Sequence, residues 1–142
     1  MNISKLLANP LFRLERGAPP EKDDLAAFLE WAPDNLPRKY VRFVRLCDGA
    51  SGDSPYPSGH IEIWPIDRAR QRNAAGELGD LPEFFAFGDD GHDQVFAFDL
   101  RQPDGAPVCA IGPDHPRPDE VETLASSFSE LLEHIVLMKG RI

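Results

Sequence analysis

Residues 81–100, LPEFFAFGDDGHDQVFAFDL, constrain the fold more than any other stretch, because two aromatic apolar runs flank an acidic, glycine-containing connection. Phe84 to Phe87 and Val95 to Phe98 have the composition of strands that pack into a core. Gly88, Asp89, Asp90 and Gly91 supply turn chemistry between them: glycine reaches positive φ without steric cost, and Asp bonds its own backbone two residues on. The segment reads as a β-hairpin of core strands. By itself it names no reaction.

The flanking segments extend this pattern. His60 to Trp64 alternates polar and apolar residues until Pro65 stops it, so a strand passes into a short helix around Ile66 to Arg72. Asp104 and Gly105 mark a second turn, between Val95 to Leu100 and a strand over Pro107 to Ile111. Upstream, Leu25, Phe28 and Leu29 recur at helical spacing from Glu21 to Trp31, and Pro33, Asp34 and Asn35 interrupt them. Pro37 suits a first helical position, and Tyr40, Phe43, Val44 and Cys47 trace one apolar stripe opposite a basic face of Arg38, Arg42 and Arg45. Such a face reads first as solvated. Asp48 and Gly49 end this helix, and the connection to Gly59 is of a length that is usually functional or mobile.

The spacing of Val121, Leu124, Ala125, Phe128, Leu131, Leu132, Ile135 and Val136 predicts one long final helix. Pro118 opens it, Asp119, Glu120 and Glu122 complement its dipole, and Lys139, Gly140 and Arg141 close it. The expected fold is α+β. A single domain over residues 21–142 follows a lead segment at 1–20, with helices at both ends of the chain packed on a mainly antiparallel sheet.

A chain of 142 residues buries enough surface to need neither a metal nor a disulfide staple. Its fourteen prolines gather in connections, where a missing N–H costs least. Cys47 and Cys109 sit inside apolar patterns, as buried free thiols do. The N-terminal segment has no apolar run of signal-peptide or membrane-spanning length, so the expected address is the cytoplasm. Net charge is −9, and residues 73–138 hold fourteen Asp and Glu against only Arg101 and Arg117. Such a surface repels phosphate backbones and draws basic partners, which argues against nucleic acid as the ligand.

Sites for chemistry are hard to assemble from these residues. Asp89, Asp90 and Asp93 could offer oxygen ligands, but an EF-hand loop counted from Asp89 would need Gly and Glu where Gln94 and Leu100 stand. His60, His92, His115 and His134 are scattered, with no zinc-ligand spacing. A Glu133–His134 acid–base pair would require a positioned substrate proton that nothing in the sequence suggests, whereas a histidine in the last turns is favoured by the helix dipole without one. No G-x-S-x-G elbow, phosphate-binding loop or dinucleotide fingerprint occurs. No cofactor and no metal are expected, and a carboxylate-pair hydrolase stays open only because carboxylate separation belongs to the fold.

The order of these pieces resembles the SUKH superfamily, which includes the yeast cell-wall synthesis regulator and many bacterial immunity proteins. The likeness runs from about Leu36 to Ile135. It rests on Leu36-Pro37 opening a helix, Asp48-Gly49 after it, a strand ending in Ile63-Trp64, Phe85-Ala86-Phe87-Gly88-Asp89-Asp90-Gly91, Phe96-Ala97-Phe98-Asp99, and Ser127-Phe128 in the last helix. Members often carry Asn-Gly at Asp48-Gly49, and Gly-Asp where this chain has His92-Asp93. The resemblance implies a non-catalytic binding domain, in bacteria an antidote that neutralises a toxin of nuclease or deaminase type. With the acidic surface, it makes Asp48, Asp53, Asp89, Asp90 and Asp93 candidate contacts for a basic protein partner. A cytosolic adaptor or regulatory scaffold is the alternative.

Overall fold

The aromatic hairpin lies at the centre of the sheet in the computed structural model, which describes residues 2–76, 78, 81, 83–101, 106–112 and 121–137. In chain order the elements are α1 (Ile3–Ala8), β1 (Glu15–Arg16), α2 (Lys22–Trp31), α3 (Arg38–Leu46), β2 (Ala50–Asp53), β3 (His60–Ile63), α4 (Ile66–Ala74), β4 (Phe84–Asp89), β5 (Val95–Asp99), β6 (Val108–Ile111), β7 (Glu122–Ala125) and α5 (Phe128–Leu137). The strands lie side by side in sequence order, and every neighbouring pair is antiparallel. The fold is α+β, with helices before, within and after one meandering sheet. No helix of the described residues is long and apolar enough to cross a membrane.

A β-bulge interrupts the central ladder between β4 and β5. Ala86 pairs with Ala97 but Gly88 with Phe96, so Phe87 is the extra residue. Strand alternation puts Phe85 and Phe87 on one side of β4, and the pairing of Phe85 with Phe98 puts Phe96 and Phe98 on that same side. Phe87 stacks on Phe98 with ring centroids 4.4 Å apart, and Tyr40 of α3 meets Phe98 at 5.1 Å and Phe128 of α5 at 5.5 Å. Edge-on contacts of this kind add about 0.5–1.5 kcal/mol each to the burial of the rings themselves. Residues 2–20, set apart in the sequence as a lead segment, supply α1 and β1, and their Ile3, Leu6, Leu7, Phe12 and Leu14 join this core. The arginines at 38, 42 and 45 are exposed, and both cysteines are free and buried. Burial pushes the Cys47 thiol up to about 11, which leaves it a poor nucleophile.

Beyond the short β3, a side chain takes over the pairing of β4. The Asn73 amide accepts the Ala86 N–H at 2.9 Å and donates to the Ala86 carbonyl at 2.8 Å, copying the two bonds of an antiparallel neighbour. Helix α4 thereby docks on the sheet where the strand ladder stops.

Several expectations need correction. The last helix begins at Phe128, not at Pro118, and Leu124 and Ala125, which fall in phase with it, belong to β7. So few residues satisfy either period, and pairing with β6 decides between them. The true start carries its own signal: Ser127 Oγ accepts the Glu130 N–H at 3.1 Å, and the Glu130 carboxylate accepts the Ser126 N–H at 3.0 Å. The connection from Asp48 to Gly59 contains β2, so its irregular part is only residues 54–59. Gly88 and Asp89 lie in strand β4 and not in the turn, which Asp90 closes by donating its N–H to the Gln94 carbonyl at 3.1 Å. The expected turn at Asp104 and Gly105, His115, the segment at 118–120 and residues 139–141 lie outside the described residues.

Candidate functional site

Because β3 runs antiparallel to both β2 and β4, the β2–β3 loop and the β4–β5 turn emerge at the same end of the sheet. They touch there: Ser58 Oγ donates to the Asp90 carbonyl at 3.0 Å. Gly91, at φ 75°, packs so closely that a Cβ would come within 2.6 Å of the His60 ring. The loop is braced from inside as well, since the Ser54 N–H bonds the Gly59 carbonyl at 3.0 Å and the Gly59 N–H bonds the Tyr56 carbonyl at 2.8 Å. Tyr56 then reaches across to α5, where its hydroxyl hydrogen-bonds His134 Nδ1 at 2.9 Å. Burial, with the Glu130 charge adding to it, pushes this phenol above its ordinary range.

The five aspartates singled out in the sequence divide between the two ends of the sheet and between two kinds of work. Asp90 is nearly buried, and its Oδ1 accepts the N–H groups of His92 at 2.9 Å and Gln94 at 3.1 Å. Asp89 accepts the Gly91 N–H at 2.7 Å with one oxygen and the Trp64 indole N–H at 2.7 Å with the other. These two carboxylates are spent on the turn and on fixing a buried tryptophan. Asp53 and Asp93 are exposed, with no side-chain hydrogen bond or ion pair among the described residues. Glu122, placed in a helix by the sequence pattern, is exposed at the start of β7 on the same end.

Asp48 stands apart, at the far end of β2, where its Oδ1 accepts the Ile66 N–H at 2.9 Å. It caps α4, whose own flanking residue is Pro65 and has no capping side chain. Asp48→Ala should therefore lower stability by about 1 kcal/mol, read from urea unfolding, while Asp48→Asn should recover most of the loss. An unchanged midpoint in the alanine variant would contradict the capping role.

Each end carries a cleft. The one at the loop end, about 290 Å³, is lined by Tyr56, Ser58, Asp93, Phe96, Glu122 and Leu124 among others. The one at the opposite end, about 680 Å³, lies between α2, α4 and the Gly17 to Pro20 segment, with Asp24, Asp48, Asp67 and Arg70 on its walls. The carboxyls held clearly below their ordinary range line neither cleft. Asp99 is lowered by the Arg101 guanidinium, which grips it with two bonds of 2.9 and 2.8 Å, and Glu130 by its bonds from Ser126. These shifts come from structural pairing and mark no acid–base pair. Among the described residues no group of three His, Cys, Asp or Glu side chains could hold a metal ion.

Of the candidate contacts singled out in the sequence, Asp53 and Asp93 lie exposed at the loop end, while Tyr56, Phe96 and Glu122, which line the cleft there, were not among them. Two signals were readable: a single aromatic between two prolines in the loop, and the Ser127 to Glu130 capping pattern that excludes Glu122 from the helix. No curated protein matches the chain significantly. A family model for the SMI1 / KNR4 family (SUKH-1) matches residues 19–134, from just before α2 to within α5. Its span takes in the Asp48 cap, the Trp64–Asp89 bond and the crowded glycines at 88 and 91, the features by which this sequence locks three strands and a helix together. With that match covering most of its length, the chain belongs to the SMI1 / KNR4 family (SUKH-1).

Proposed function

We propose that this protein is an immunity-type binding domain that neutralises a basic toxin by covering it, with no chemistry of its own. The observation that carries this reading is the loop end of the sheet, where Asp53, Asp93 and Glu122 present exposed carboxylates, unpaired among the described residues, on a frame braced by Ser58, Asp90 and the Tyr56–His134 bond. A rigid surface of one sign loses little entropy on docking and speeds encounter with a partner of the opposite sign. Family membership supports the same class of function. Asp89 and Asp90 act in this reading by shaping the surface, and Asp48, at the other end of the sheet, by capping α4.

The test is affinity capture from the native cell, followed by expression of the captured protein alone and together with this chain. The expected result is poisoning by the partner alone and rescue on co-expression. A captured partner that is harmless alone would instead support the family's regulatory side, an adaptor that scaffolds cellular proteins.

A further inference from the structure

The smaller cleft fits one kind of side chain, and we propose that it seats an arginine of the protein partner. This inference rests on the reading that the loop end of the sheet is where a protein binds. Its floor follows from the strand register. Phe96 and Glu122, which line it, stand on β5 and β7 opposite the small Ala110 of β6 between them, so the three side chains share a face. Tyr56 forms a wall: its ring meets Phe96 edge-on at 6.1 Å, and its bond to His134 Nδ1 fixes the ring in place. Leu124 extends the apolar lining along β7, while Asp93 and Glu122 put exposed carboxylates at the mouth.

An aromatic-lined cleft rimmed by two carboxylates is complementary to a side chain that lays its hydrocarbon stem along the apolar wall and its cationic head beside the carboxylates. Arginine fits better than lysine because its planar guanidinium stacks on an aromatic ring while offering donors to two acceptors at once. Among the described residues the lining of this cleft contains no Lys or Arg, and His92 is its one basic side chain. The larger cleft differs on this point. Arg70 lines it and lies over Trp31 at 5.3 Å, and Asp48 there is already engaged with α4.

The experiment is a titration of the full chain with the tripeptide acetyl-Gly-Arg-Gly-amide, followed by amide proton and nitrogen resonances, beside the lysine and citrulline counterparts. The arginine peptide should move the amides of Ser58, Gly91 to Phe96 and Glu122 to Leu124, with a dissociation constant on the order of 10 mM, as a fragment of this size reaches. Citrulline, of the same shape but uncharged, should leave them in place. Tyr56→Leu and the double variant Asp93→Asn/Glu122→Gln should each weaken binding about fivefold or more, with the rest of the spectrum showing a folded chain. Equal binding of lysine or citrulline, shifts centred on Gly17 to Asp24 and Ile66 to Arg70, or no shifts at all would overturn the assignment. If the peptide is silent but charge reversal at Asp53 and Asp93 still weakens the captured partner, the arginine seat falls and the contact surface stands. If neither responds, both fall.

Discussion

Gly88→Ala should cost about 3 kcal/mol of stability, at the upper end of what overpacking a tight site does. A Cβ at this position would collide with the backbone carbonyl of Glu62, and the two residues belong to directly paired strands. The collision cannot be relieved by turning a side chain. The strands would have to separate, breaking the short pairing that joins β3 to β4, with Trp64 and Asp89 bonded across that seam. The reason for glycine is close approach of two backbones. In a domain of this size the loss should lower the melting temperature by roughly 6–12 °C. Gly112→Ala, where a Cβ would meet nothing within 4 Å among the described residues, is the matched control and should change little. Equal melting of the two variants would contradict the β3–β4 register.

Asn73→Ala should cost about 2–4 kcal/mol, because one side chain serves two backbone groups and each costs about 1–3 kcal/mol when buried without a partner. The amide bonds both the N–H and the C=O of Ala86, a residue with no exposed surface, and donates also to the Ala69 carbonyl at 2.7 Å. Asn73→Asp separates the contributions. It keeps an acceptor for the Ala86 N–H but sets a carboxylate against the Ala86 carbonyl, so it should not rescue the alanine variant. Hydrogen exchange gives the local readout: the Ala86 amide should lose protection in Asn73→Ala more than the Ala97 amide across the ladder. Uniform protection in the variant would show that α4 does not complete the sheet at this point.

The fold was legible where local chemistry and packing agreed. The aromatic hairpin, the α3 stripe of Tyr40, Phe43 and Val44, and the strand-to-helix passage at Pro65 are all present, because each buries one apolar face and is bounded by its own stop signals. Legibility failed where a strand is made by its neighbours. Ala50 to Asp53, ASGD, has almost no strand propensity and is a strand only because β3 and β1 flank it. Glu122 to Ala125 matched a helical phase and was claimed by β6.

The candidate site was legible by charge but not by role. Counting carboxylates could not separate Asp89 and Asp90, which hold the turn and Trp64, from Asp53 and Asp93, which face solvent. Nor could it place Asp48 at the other end of the sheet. That difference depends on which backbone N–H groups lie within reach, and only the assembled strands determine it.

If, as proposed, exposed carboxylates at one end of the sheet bring a basic protein into contact, their charge should set the rate of encounter. The most direct measurement is the association rate constant of the captured partner with the wild-type chain and with Asp53→Lys/Asp93→Lys, at low and at physiological salt. The account predicts that the double variant associates about tenfold or more slowly at low salt, and that the gap narrows as salt screens the field. An association rate that ignores both the substitutions and the salt would contradict it.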